Sequence, residues 1–106
     1  MCPVVHFEMP AEDRKRMAGF YSDVFGWQTQ LLGEDMGKNV LASTTETDEN
    51  GRPKMPGAIN GDFYPKNENW PAQHPSLVIA VDDIKESMKQ VTEGGGKVLG
   101  EPIEIP

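Results

Sequence analysis

A short alternating run followed by an amphipathic helix pattern constrains the fold of this chain more than any other feature. The run Val4–Met9 alternates in hydrophobicity, which predicts a strand with Val5, Phe7 and Met9 on one face. A helical pattern follows and ends at Gly26, a residue type that favours the left-handed conformation just beyond a helix. Its apolar positions predict one buried stripe, formed by Met17, Phe20, Tyr21, Val24 and Phe25. Alternation resumes over Trp27–Leu31, so the segment predicts a strand–helix–strand unit.

A second copy of this unit is indicated 70 positions later, where His6 corresponds to Ser76 and Asp13 corresponds to Asp83. The run Ser76–Val81 predicts a buried strand. The helix predicted after it has an apolar stripe of Ile84, Met88 and Val91. Such repetition indicates two similar modules, neither of which buries its apolar face alone.

The remaining patterns complete the predicted organisation. Further strands are predicted at Val40–Thr45, Pro56–Tyr64 and Lys97–Leu99, Pro10 predicts the entry to the first helix, and Asn50-Gly51 predicts a tight hairpin turn. The segment from about 65 to 75 is rich in Pro, Asn and Gln, which is typical of a linker. We therefore predict one α+β domain over residues 1–106, with a first module at about 1–64 and a second at about 76–106.

Charge and composition exclude several classes of protein. The formal net charge of −7, from 10 basic and 17 acidic residues, would repel a phosphate backbone, so we expect no nucleic-acid partner. No run approaches the length of a membrane span, and no secretory signal pattern opens the chain. The single Cys2 cannot form an internal disulfide, so we expect a cytoplasmic protein without membrane association.

Three sequence pieces resemble the vicinal oxygen chelate superfamily, which includes glyoxalase, bleomycin-resistance and extradiol dioxygenase proteins. They are Val5-His6-Phe7-Glu8-Met9-Pro10 with the later Phe20-Tyr21, then Val24-Phe25-Gly26-Trp27, and finally Val81-Asp82-Asp83-Ile84 with Gly95-Gly96-Lys97-Val98. The chain is most similar to small bacterial proteins of this superfamily related to lactoylglutathione lyase. Pro56-Gly57-Ala58-Ile59-Asn60-Gly61 also resembles that subgroup.

The resemblance implies two βαβββ modules whose curved sheets enclose a cleft. In this chain the second module reads as β-α-β and then stops, so we expect it to be truncated. An incomplete sheet exposes unpaired strand edges, which favour association with another chain. We therefore expect a homodimer in which a second copy covers the incomplete sheet.

The resemblance also implies where a divalent metal would be bound in the metal-dependent members. His6 matches the ligand position on the first strand, and Ser76 stands at the matching position of the second module. Asp62 is the nearest acidic candidate on the fourth strand. A serine hydroxyl is a poor ligand for a transition metal, so we expect no strong cofactor site, with a metal held through His6 as the alternative.

Strand alternation indicates which side chains face the implied cleft. If Val5, Phe7 and Met9 pack on the helix, then Val4, His6 and Glu8 point to the other side, as Ser76, Val78 and Ala80 do in the second module. The candidate ligand-binding residues are therefore His6, Glu8, Asp62 and Ser76, with no catalytic residue assigned. Of the other aromatic and histidine residues, Tyr21 and Trp27 are predicted to belong to the core, Trp70 to a junction or interface, and His74 to the surface.

Three kinds of function agree with these observations. The first is a glyoxalase-like protein that binds a small ligand in the cleft. The second is a metal-dependent lyase, isomerase or dioxygenase with His6 as a ligand, assisted by Asp62, Glu8 or the partner chain. The third is a structural or interaction module. The chain has none of the spacings of a Ser-His-Asp triad, a CxxC pair or a phosphate-binding loop, which would indicate other chemistry.

Overall fold

The computed structural model describes residues 1–70 and 72–103 and forms one α+β unit there, with a five-stranded curved sheet and two helices. The elements are β1 (Val4–Ala11), α1 (Arg14–Phe25), β2 (Gln28–Leu31), β3 (Val40–Ser43), β4 (Asn60–Pro65), β5 (Ser76–Ile79) and α2 (Ile84–Glu93). A 3-10 turn, Glu34–Met36, lies between β2 and β3. The predicted α+β fold class is confirmed.

In the strand order β2-β3-β4-β1-β5, β1 lies between β4 of the first repeated unit and β5 of the second. β1 runs parallel to β4, with His6 opposite Asn60, and antiparallel to β5, with Glu8 opposite Ser76. The first unit, which we call the first module, has the predicted order β1-α1-β2-β3-β4. A parallel pair needs a long crossover connection, and here α1, β2 and β3 supply it.

The core of the described residues lies between α1 and the first module's sheet. Its buried members are Ala11, Ala18, Val40, Ala42 and Phe63. Tyr21 and Trp27 pack against this core and stack on each other, with ring centroids 4.7 Å apart, as predicted.

The face of α1 that packs inward differs from the predicted stripe. Met17, Ala18 and Tyr21 contact the core, whereas Phe20, Val24 and Phe25 are all more than half exposed. Ala18 is the buried residue of α1, so the helix packs on the sheet through Ala18 rather than through Phe20 and Val24.

The two helices begin in the same way, as the repeat predicts. Asp13 caps α1 by accepting a hydrogen bond from the Arg16 amide, and Asp83 caps α2 by accepting from the amides of Lys85 and Glu86. The two caps also share nearly the same backbone angles. Gly26 ends α1 with a φ of 72°, in the left-handed region that favours glycine.

Two predicted element boundaries are wrong. Pro10 does not open the helix but continues β1, where it lies opposite Tyr64 of β4. β5 pairs with β1 only as far as Glu8, so Pro10 lies where β1 has a single neighbouring strand, and there the missing amide is tolerated. β4 begins at Asn60 rather than Pro56, because Gly57 takes a φ of 85° within a turn between Met55 and Ala58.

The Asn50-Gly51 turn forms, but the strands expected around it do not. Gly51 has a φ of 77°, and the carboxylate of Asp48 accepts hydrogen bonds from the amides of Asn50 and Arg52. A single bridge between Thr47 and Pro53 is the only pairing of this loop.

Within the described residues, α2 has no extensive contact with any other element, and none of its residues is buried. The strand predicted at Lys97–Leu99 does not form among residues 94–103, since no neighbouring strand there offers hydrogen-bonding partners. The predicted second module also includes residues 104–106, and the predicted linker includes Pro71; these lie outside the described residues. Neither helix combines the length and hydropathy needed to cross a bilayer in the described part of the chain.

Candidate functional site

The sheet face opposite α1 carries a group of polar side chains, which we call the polar face: His6 and Glu8 of β1, Asp62 and Tyr64 of β4, and Ser76 of β5. Strand register builds it. The pairing sets Glu8 between Asp62 on one side and Ser76 on the other, and residues paired across strands share a face. The apolar residues Phe7, Met9 and Phe63 alternate with these and point to the core.

A register shift ends this pattern at one end of β1. The pairing slips between Val4 and His6, so that Val4 lies opposite Ile79 rather than Ala80. Ala80 lies outside β5, and its amide donates to the carbonyl of Pro3. The expectation that Val4 and Ala80 face the cleft together is therefore wrong, because the irregularity interrupts strict alternation.

Asp62 is the most unusual residue of the polar face, because it is a carboxylate that is only 9% exposed. Its Oδ2 accepts a hydrogen bond of 2.9 Å from the Asn39 side chain. Its Oδ1 is buried and has no hydrogen-bond partner among the described residues. His6 Nε2 lies 3.6 Å from that oxygen, too far for a good hydrogen bond. A buried carboxylate oxygen without a donor is costly, and in native proteins such a group calls for an explanation.

The electrostatics of the polar face are dominated by carboxylates. Burial raises the pKa of Glu8 above its ordinary value of 4.5, and the neighbouring Asp62 raises it further, while His6 acts in the opposite direction. The pKa of Tyr64 is also raised, by burial and then by Glu8 and Asp62. Burial is the main cause of both shifts, and the charge of Asp62 adds to each of them.

A cavity of about 790 Å³ opens beside the polar face. Glu8, Tyr64, Trp70 and Ser76 are among its lining residues, and Asn39 links it to a smaller cavity of about 290 Å³ lined by Asp62. The Tyr64 hydroxyl donates to the carbonyl of Ala72 at 3.1 Å, which fastens the segment after β4 to the rim. Cavities of this size accommodate a small molecule.

A second cavity, of about 490 Å³, lies on the α1 side of the sheet. It is lined mainly by apolar side chains, which include Phe7, Met9, Trp27 and Leu77. Ser76 lies at the rim of both large cavities.

The structure brings the four predicted ligand-binding residues onto one face but does not make them a metal site. In the part of the chain that the structure describes, no three His, Cys, Asp or Glu side chains lie close enough together to hold an ion. His6 and Asp62 supply two donors, and a structural or catalytic site for a transition metal takes at least three from the protein. These residues do not fit a metal on their own.

Asn39 and Tyr64 belong to the site but were not predicted from the sequence. Tyr64 follows Asp62 by two positions in the predicted strand, so alternation alone would have placed it on the same face. Asn39 had no such signal, because it precedes β3 and reaches Asp62 only through the folded sheet. Trp70 lines the cavity, and His74 is exposed as predicted.

The order β1-α1-β2-β3-β4, with α1 packed on one face of a curved sheet and polar side chains on the other, defines a βαβββ domain. The family model of the Glyoxalase/Bleomycin resistance protein/Dioxygenase superfamily matches residues 4–105. A glyoxylase-like domain-containing protein from Didymella fabae is 34% identical over 104 residues, which cover 92% of this chain and 72% of that protein. The chain belongs to this superfamily, which confirms the resemblance noted in its sequence.

Solved structures with a similar fold include methylmalonyl-CoA epimerases. One, in complex with methylmalonyl-CoA and NH4+, has a TM-score of 0.61 and 14% identity and matches 94% of this chain and 74% of its own. Another, from Streptomyces coelicolor in complex with 2-nitronate-propionyl-CoA, has a TM-score of 0.59 at 14% identity and matches 92% of this chain and 73% of its own. At this level of identity the similarity shows the fold alone.

Proposed function

We propose that this chain is a glyoxalase-like module that binds a small ligand on its polar face, in the cavity beside Glu8. The observation that carries the proposal is the nearly buried Asp62, whose Oδ1 has no hydrogen-bond donor among the described residues although a cavity adjoins the residue. A ligand that brings such a donor would satisfy the carboxylate.

Three further observations support the location. His6, Glu8 and Ser76 converge there from two strands, and the pKa values of Glu8 and Tyr64 are both raised, first by burial and then by neighbouring carboxylates. The face is also built on paired strands rather than on loops, which holds its groups in fixed positions.

Mapping of bound fragments by NMR tests this function. A library of small polar compounds is added to ¹⁵N-labelled protein, and amide shifts are followed. We expect hits to move the amides of residues 6–8 and 60–64, and His6→Ala and Asp62→Asn to abolish these shifts. Hits that move only amides around the apolar cavity would overturn the proposal.

The metal-dependent alternative remains a prediction that metal content tests. Elemental analysis of protein purified without chelators or metal-affinity resin would detect Ni, Zn, Fe or Mn. A near-stoichiometric metal that is lost in His6→Ala would favour the enzyme and would require ligands beyond His6 and Asp62.

We also propose that a second copy of the chain covers the exposed apolar side chains of β5 and of α2. Leu77 and Ile79 of β5 are 67% and 54% exposed, and Ile84 and Val91 of α2 are 52% and 46% exposed. The outer edge of β5 has no strand beside it in the described residues, and such an edge invites pairing.

Charge favours a second copy that approaches through this surface. The chain has a net charge of −7, so two copies repel each other unless they meet where charges are absent. The strand Ser76–Ile79 has no charged residue, and its outer edge can pair antiparallel with its own copy about a two-fold axis. Apolar surface of this kind is typical of self-association sites.

Sedimentation equilibrium at low micromolar concentration tests the dimer. We expect Leu77→Asp and Ile84→Asp each to raise the dissociation constant of the dimer at least tenfold. Gln90→Asp adds the same charge to an uncharged, exposed position of α2 that lies off its apolar stripe, and it should leave the dimer intact. A stable wild-type monomer would overturn this proposal.

A further inference from the structure

We infer that the ligand of the polar face is an organic cation, which places its ammonium group between Glu8 and Asp62 and its apolar part against Trp70. This inference rests on the proposed function and narrows the chemical class of the ligand.

The charged groups around the two adjoining cavities are mainly carboxylates. Glu8 lines the larger cavity, and Asp35 and Asp62 line the smaller one. The one lysine in these linings, Lys66, lies 3.5 Å from the carboxylate of Glu12 on the outer surface, which offsets its charge. The two linings therefore carry three carboxylates against one paired lysine, with His6, 3.6 Å from Asp62, as the nearest further basic side chain. An anionic or phosphorylated ligand would be repelled.

The burial of Asp62 strengthens the effect of this charge. A carboxylate that is nine-tenths buried interacts with a neighbouring charge in a medium of lower dielectric constant than water. Its Oδ2 is already occupied by Asn39, whereas Oδ1 lacks a donor. An ammonium group supplies N–H donors and positive charge together, so it satisfies both needs of this residue.

Glu8 supplies the second carboxylate, at a position closer to solvent. Its pKa is raised because of burial and the charge of Asp62. The groups that face it are His6 on its own strand, Asp62 and Tyr64 on β4, and the uncharged Ser76 on β5. A cation that binds between the two carboxylates removes their mutual repulsion, which no neutral ligand does.

The rim of the cavity supplies an aromatic surface. Trp70 lines it and is 56% exposed. Tyr64 lines the same cavity from β4. An aromatic face attracts a cation within about 6 Å of the ring centroid, with tryptophan the best of the aromatic residues. Carboxylates at the base and an indole at the rim together select an amine with an apolar substituent.

A set of three probes of similar shape but different charge tests the inference. They are 2-phenylethylamine, the neutral 2-phenylethanol and the anionic 3-phenylpropionate, titrated into ¹⁵N-labelled protein at pH 7.5 and low salt. We expect the amine to bind at least tenfold more tightly than the other two. The affinity for the amine should rise with pH as Glu8 loses its proton, and the pKa of Glu8 lies above its ordinary value of 4.5.

Variants locate the charge that is recognised. Glu8→Gln and Asp62→Asn should each weaken amine binding about tenfold while leaving the alcohol unaffected, and Trp70→Leu should weaken both compounds. Glu46→Gln removes an exposed carboxylate outside both cavities and should change nothing. Glu8 is half-buried rather than buried, so we expect Glu8→Gln to fold. This variant still tests the inference if Asp62→Asn fails to fold.

The outcomes separate this inference from the proposed function. If the alcohol or the acid moves the amides of β1 and β4 as strongly as the amine, the polar face binds ligands but the preference for a cation is refuted. If none of the three compounds moves them and the fragment library also fails, the proposed function falls and this inference falls with it.

Discussion

At the residue scale, the polar face depends on one glycine as much as on its charged groups. Gly61 lies between Asn60 and Asp62 in β4 and is buried beneath the ring of Phe7. A Cβ at this position would lie 2.5 Å from both the Phe7 ring and the Phe7 carbonyl oxygen. The absence of a side chain at Gly61 is what lets β1 and β4 approach while Phe7 covers the backbone.

Gly61→Ala is expected to destabilise the protein by about 1–3 kcal/mol, because a rigid backbone oxygen, and not only a flexible ring, would have to move. Urea denaturation measures the change. Gly19→Ala is the matched control, since nothing lies within 4 Å of a Cβ there and the site is in the exposed interior of α1. That control should stabilise the protein by about 0.5–1 kcal/mol. A neutral Gly61→Ala would mean that β1 and β4 are less closely packed in solution.

Glu8→Gln is expected to stabilise the protein in a pH-dependent way. Folding raises the pKa of Glu8, so the folded chain holds this proton more tightly than the unfolded chain does. The wild-type protein therefore loses stability as the pH rises from 4.5 through the raised pKa, whereas the Gln variant has no such proton to lose.

Urea midpoints at pH 4 and pH 7 measure this effect. The two proteins should be nearly equal at the lower pH, and the variant should be the more stable at the higher pH. Glu46→Gln, at an exposed site, should show no such divergence. A variant that is less stable at pH 7 would show that the Glu8 carboxylate has a stabilising partner.

At the element scale, the two capped helices have the same beginnings but different surroundings. α1 packs on the core through Ala18, whereas no residue of α2 is buried. The same cap therefore supports a helix that is part of the cooperative core in one case and a nearly isolated helix in the other. Isolated helices of this length are marginal in water.

Substitution of the two caps is expected to separate these roles. Asp13→Ala should lower the free energy of unfolding by about 1 kcal/mol, because α1 unfolds together with the core. Asp83→Ala should leave the global unfolding midpoint nearly unchanged in the monomer, but it should speed amide hydrogen exchange across Ile84–Glu93. Equal losses of global stability would contradict this view and would show that α2 folds cooperatively with the sheet.

The elements also show how far a single sequence predicts this fold and its site. Alternation and the Gly26 stop predicted β1, β2 and the end of α1 closely, because each is decided by neighbours in sequence. The outward turn of Phe20 could not be predicted, since it depends on which face Ala18 presents to the sheet. For the site, alternation placed His6 and Glu8 on one face, whereas the contact between Asn39 and Asp62 arises only from tertiary pairing.

At the scale of the whole molecule, the charge of −7 acts in opposite directions on the two proposed associations. Salt screens repulsion between two acidic copies, so added salt should strengthen the dimer. Salt also screens the attraction between the carboxylates and a cation, so it should weaken amine binding.

Raising NaCl from about 20 to 500 mM should therefore tighten self-association in sedimentation experiments, while it lowers the affinity for 2-phenylethylamine severalfold. Both effects occur in one buffer series on one protein. Salt dependences of the same sign would contradict at least one of the two proposals.

The central position of β1 has a consequence for the order in which the molecule forms. β1 precedes both of its partners in the sequence, yet it is hydrogen-bonded only after β4 and then β5 have been made. During synthesis β1 leaves the ribosome before β4 and β5, and it stays unpaired until they follow. The polar face, and with it the proposed ligand site, is therefore complete only once β4 and β5 have both paired with β1.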